Sequence, residues 1–162
     1  MNNRRTEKGQ GLVEFAVIFP IFAVLLFVVI DGGLALGRYN NMQNSSKEGA
    51  RLGAVGANHN EIVDRVREQA HGLLDDASLD CADMDDDTVD DVICVEWIEG
   101  PDNEIPGRVG ASVRVKVKFK HGYITPLPNV ISDGLSMTVC AVQRQEQSFS
   151  PPAASVGQGL SC

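Results

Sequence analysis

At 162 residues, with 43% hydrophobic content gathered largely into one run, the chain has material for a single small domain beyond that run. A large enzyme is excluded. The net charge of −8 and a sequence pI near 4.8 argue against a nucleic-acid binder, which would carry a basic face, and suit a soluble domain.

The first element is the apolar run itself. From residue 12 to residue 30 only Glu14 is ionisable. As a helix rising ~1.5 Å per residue, this stretch matches the roughly 30 Å hydrocarbon layer of a bilayer. Arg4, Arg5 and Lys8 precede it against a single Glu7, so the basic leader is expected in the cytoplasm and the bulk of the chain outside. A secretory signal would have a shorter apolar region and a small-x-small cleavage site, and it would not carry a carboxylate near its start. Glu14 is costly there, by about 2.5 to 3.5 kcal/mol at full depth. Either it reaches up to the headgroups, or a partner charge compensates it.

Gly9 stands five positions before Glu14, the basic leader precedes Gly9, and Phe15 follows Glu14. At these residues the chain resembles the prepilin-like proteins of the type IV pilin superfamily, in the tight adherence (Tad or Flp) branch, and most closely the TadE-like pseudopilins. The resemblance implies cleavage between Gly9 and Gln10 by a prepilin peptidase. Glu14 is then the recognition carboxylate at the fifth mature position, with Phe15 in the aromatic place. It also implies a subunit contact in which the new amino terminus at Gln10 meets Glu14 of a neighbour, each relieving the other's burial cost.

Residues 31–55 contain no proline and read as a continuation of the helix, with an amphipathic surface and small residues at Ser45, Ser46, Gly49, Ala50 and Gly53. Pro20 within the span and Gly32 with Gly33 at its exit predict local flexibility. Lys47-Glu48-Gly49-Ala50-Arg51 resembles the Arg-Glu-Gly-Ala-Arg run often found after the span in TadE-like proteins. Asn58 or Asn60 can cap a second helix, which should bury Ile62, Val63, Val66, Ala70, Leu73 and Leu74. Residues 61–91 hold twelve acidic side chains against Arg65 and Arg67, and the part from residue 75 reads as a solvated acidic loop. Asp83, Asp85 and Asp87 alternate as at the start of a calcium loop, yet Thr88 and Cys94 stand where glycine and glutamate are needed.

Strand patterns follow. Residues 92–98 are β-rich, and Val109, Ala111, Val113, Val115, Val117 and Phe119 alternate with Ser112, Arg114, Lys116 and Lys118. The apolar row should pack on the post-membrane helix, leaving the basic row exposed to keep the surface soluble or to meet the acidic loop of a neighbour. Thr125-Pro126-Leu127 breaks the pattern and residues 135–142 restore it. This order, ending in Gln143-Arg144-Gln145-Glu146, again resembles the TadE-like pattern, whereas residues 61–106 match it only in character. The Ser-, Pro- and Gly-rich tail from residue 148 is expected to be disordered.

Four cysteines outside the membrane lie in an oxidising compartment and allow three pairings. Cys81 with Cys94 is preferred, because it closes a short loop across the acidic segment at a gain of roughly 3 kcal/mol on the chain-entropy estimate. Cys140 and Cys162 would pair, or Cys162 would bridge to another molecule. Zinc spacing is absent, as are the motifs of hydrolases, metalloproteases and phosphate loops, and no cofactor or metal is expected.

The expected product is an α+β protein with a long N-terminal helix packed on a small antiparallel sheet. Its divisions are a leader (1–9), a transmembrane helix (10–31), an extracytoplasmic pilin-like domain (32–147) and a tail (148–162). The resemblance implies a minor pilin or pseudopilin at the inner membrane, not an enzyme. Its partners would be the prepilin peptidase, the major and other minor pilins, the inner-membrane assembly platform and membrane lipid, with no nucleic acid. The rival reading is a membrane-anchored extracytoplasmic binding module with calcium in its acidic loop; it leaves the spacing of Gly9 and Glu14 unexplained.

Overall fold

The computed structural model describes residues 7–99, 106–125, 134–148, 150–151 and 156–157. It is α+β. Helix α1, Glu7–Ala54, runs 48 residues and about 70 Å, passing unbroken through Pro20 and through Gly32 and Gly33. Its first part carries no globular structure and its last part carries the whole domain.

Helix α2, His59–Gln69, starts at Asn58 with a reciprocal capping box. The Glu61 N–H donates to Asn58 Oδ1 at 3.0 Å, and the Asn58 N–H donates to Glu61 Oε2 at 2.9 Å, which satisfies two otherwise orphaned donors. Ile62, Val63, Val66, Ala70 and Leu74 are buried, but Leu73 is exposed. The reason is local: His71 and Gly72 take positive φ values of 53° and 78°, ending the helical phase before Leu73.

Strands β1 (Val92–Ile98), β2 (Ser112–His121) and β3 (Leu135–Arg144) form an antiparallel sheet with β2 in the middle. A two-residue strand β4, Val156–Gly157, pairs in parallel with Trp97 and Ile98 of β1. These two residues of the tail thus lie against a sheet edge; composition reports how little core a segment can bury, not which edge lies within its reach.

The core lies between α1, α2 and one face of the sheet. Met42, Ala50, Ile62, Val66, Val95, Trp97, Val113, Val115, Val117 and Phe119 meet there. Close approach depends on glycine: a Cβ at Gly49 would lie 2.6 Å from Cγ2 of Val66, and one at Gly53 would lie 2.8 Å from Cγ2 of Val113. The β2 alternation holds from Val113 onward. Val109 does not join it and is exposed, because Gly107 and Gly110, with φ of 85° and 95°, place it in a turn ahead of the strand.

Candidate functional site

The exposed half of α1 is the first part of the site. From residue 10 to residue 30 every side chain is exposed except half-buried Ala23 and Phe27. An apolar helix surface uncovered all round is unstable in water and suited to lipid or to other helices. Glu14 lies on this surface, where the side-chain amide of Gln10 donates to its Oε1 at 3.4 Å, and the rings of Phe15 and Phe19 stack at 5.4 Å. That contact is too long to compensate a carboxylate in hydrocarbon. Gly9, Gln10, Glu14 and Phe15 thus share the first turns of one helix.

The second part is the membrane exit, for which the sequence predicted only glycine flexibility. Asp31 is buried although it directly follows the apolar run. The hydroxyl of Thr125 donates to its Oδ2 and the N–H of Ile124 donates to its Oδ1 at 3.1 Å, so the loop after β2 is tied to α1 at that level. No sequence signal links residues 93 and 94 positions apart.

His121, at the end of β2, is fully buried beside this tie, with its ring edge-on to Tyr123 at 6.3 Å and neither nitrogen hydrogen-bonded. Burial holds its pKa below the ordinary value; Arg38 acts in the same direction and Asp31 opposes it. The unfolded chain therefore binds this proton first as pH falls. His121 contributes its full stability above about pH 6.5 and loses it as pH drops through the lower folded value. Thermal unfolding of the detergent-solubilised protein should therefore shift to lower temperature between about pH 7.5 and about pH 5.5 more than it does in His121→Phe. His59, also lowered by burial, and Asp91, raised by it, are common to both proteins. Equal shifts would remove the assignment to His121.

The outer face of the sheet corrects the expectation of an exposed basic row. Arg114 and Lys118 are buried. Arg114 Nη2 lies 2.7 Å and Nε 2.8 Å from Glu96 Oε2, Lys118 Nζ donates to the carbonyl of Asp86 at 2.6 Å, and Lys120 Nζ sits 3.0 Å from Asp90. The acidic loop folds over the Lys118 end of its own sheet and Glu96 of β1 pairs with Arg114, so the partners of the basic row are intramolecular. A disulfide between Cys81, on a short 3-10 helix (Cys81–Asp85), and Cys94 of β1 fastens it there. Cys140 is also disulfide-bonded, and Cys162 lies outside the described residues.

Asp83 accepts a hydrogen bond from the Ser78 hydroxyl and Asp86 caps a turn through Thr88. Among the described residues, Asp83, Asp85 and Asp87 do not converge as a metal-ligand set; the one cluster of donor atoms is Cys81, Cys94 and Glu96, whose sulfurs are consumed by the disulfide. Replacing Cys81 and Cys94 together by Ser should raise protease cleavage between residues 74 and 96 severalfold, because the loop has little core of its own. Unchanged digestion would show that the ion pairs suffice to hold it.

Among the described residues one helix is apolar and long enough to cross a membrane, and it is continuous with the helical part that carries a small antiparallel sheet, a layout that fits a single-pass membrane pilin. Residues 9–51 match the family model described as TadE-like protein. The match takes in Gly9, Glu14, Phe15 and the Lys47–Arg51 run, and it stops before α2 and the sheet. No curated protein and no solved structure matches the chain.

Proposed function

We propose that this chain is a minor pilin or pseudopilin of a Tad-type pilus or a related secretion apparatus. It is made as a precursor with its basic leader in the cytoplasm. A prepilin peptidase cuts between Gly9 and Gln10, recognising Glu14 and Phe15, and the extracytoplasmic part from residue 32 remains outside the inner membrane. The helix from Gln10 holds the subunit in lipid and joins it to the major and minor pilins at the assembly platform. The observation that carries this reading is the TadE-like match over residues 9–51, on a helix half that is apolar, uncovered and marked by one carboxylate.

The protein is a substrate and a building part, since the TadE-like family is structural. The rival of a calcium-binding anchored module is not favoured: several carboxylates of the acidic loop are engaged by Ser78, Thr88 and Lys120. In cells with a prepilin peptidase, Gly9→Ala should abolish conversion of the precursor to a shorter form, seen as a single slower band, while membrane association persists. Normal conversion of Gly9→Ala would overturn the cleavage site.

A further inference from the structure

The apolar run from residue 12 to residue 30 has nineteen residues and spans about 28 Å, which leaves almost no slack against a hydrocarbon layer of about 30 Å. Asp31 is thereby placed at the outer edge of that layer. Because the Ile124 N–H lies 3.1 Å from Asp31 Oδ1, the loop after β2 is held at the same level. Two aliphatic side chains at this end of the sheet are uncovered: Ile124 is 64% exposed, and Leu135, whose Cα pairs with His121, is 45% exposed. On α1, exposed Leu34 and Leu36 continue the apolar surface past Asp31, about 5 to 8 Å farther along the axis. Single exposed aliphatic residues are ordinary, but these share one level and are continuous with the membrane-spanning surface.

We propose that this end of the domain is a lipid-contacting foot, in which Ile124 and Leu135 rest in the interfacial layer beside Leu34 and Leu36, and the Asp31 tie to Ile124 and Thr125 sets their depth. The occupant is the bilayer surface, because the interfacial layer extends several ångströms beyond the hydrocarbon and the fold holds these side chains within it. The foot rests on the membrane-spanning reading of α1. It fixes the inclination of the sheet over the membrane, which a helix alone leaves free.

The test uses the full chain in phosphatidylcholine vesicles carrying lipids brominated near the headgroup or near the chain ends. Three variants are compared: Ile124→Trp, Val109→Trp at the far end of the sheet, and Val28→Trp in the span. Trp97 pairs with Val113 at the far end and supplies a constant background. Ile124→Trp should emit at shorter wavelength than Val109→Trp and be quenched about twofold more by the shallow bromolipid, as befits an interfacial tryptophan. Val28→Trp, about 5 Å inside the level of Asp31, should be quenched by the shallow label at least as strongly as Ile124→Trp. Equal, weak quenching of Ile124→Trp and Val109→Trp, with Val28→Trp quenched, overturns the foot and leaves the span intact. Short-wavelength emission at Ile124→Trp without quenching overturns it too, assigning the patch to another protein copy. An unquenched Val28→Trp removes the spanning reading and the foot with it.

Discussion

Glu14→Ala is expected to insert into the membrane at least as well as the parent and to lose co-isolation with other pilins. The variant removes a carboxylate costing about 2.5 to 3.5 kcal/mol at full depth, so insertion is relieved. Among the described residues the same carboxylate has only the Gln10 amide at 3.4 Å. In the proposed assembly its partner is the amino terminus at Gln10 of a neighbouring subunit. Removing one member of a desolvated pair leaves the other buried and unpaired, at a cost of about 2 to 5 kcal/mol, so recovery of partner pilins should fall tenfold or more. Glu14→Gln keeps the volume and should fail nearly as badly. Normal co-isolation of both variants would reduce Glu14 to a side chain that snorkels to the headgroups.

Gly53→Val should damage the domain itself. The Cβ alone would meet both Cγ atoms of Val113, at 2.8 and 2.9 Å, and Ile62 Cδ1 at 3.1 Å, before the two γ-carbons are added. Valine at Val113 is stiff at χ1 and sits mid-sheet, so the strain passes into the spacing between α1 and β2. Overpacking of this kind costs about 1 to 3 kcal/mol or more, lowering the unfolding temperature of a small domain by roughly 5 to 20 °C. Gly33→Ala is the contrast. Nothing lies within 4 Å of its added Cβ, so improved helix propensity should leave stability unchanged or slightly raised. A Gly53→Val protein as stable as Gly33→Ala would mean that α1 does not pack on the sheet as described.

What the sequence made legible is what local chemistry writes into neighbouring residues. The uncharged run after Glu14, the alternation from Val113 to Phe119 and a helix cap at Asn58 or Asn60, which the structure settles on Asn58, each declare themselves within a few positions. The segment that matches the TadE-like model was readable for the same reason, since Gly9, Glu14 and Phe15 lie at fixed spacing on one helix. Contacts between distant segments were not readable. Asp31 looks like an ordinary membrane-edge residue until Thr125 is folded against it, and Arg114 looks solvent-facing until Glu96 of β1 is paired with it across the sheet. Val109 and Leu73 were misplaced because the periodicity was carried through positive-φ residues, where the backbone loses its phase. The proposed assembly role leaves no mark within a single chain beyond an uncovered apolar surface, so it had to come from resemblance.

The central claim is that this helix begins, in the working protein, at Gln10. Intact mass of the protein extracted from membranes of cells that carry the processing system, with N-terminal sequencing of the same sample, tests it most directly. The account predicts loss of residues 1–9 and Gln10 as the first residue. A chain that still begins at Met1 in such membranes, or one cut beyond the apolar run, for instance near Gly37, would contradict it.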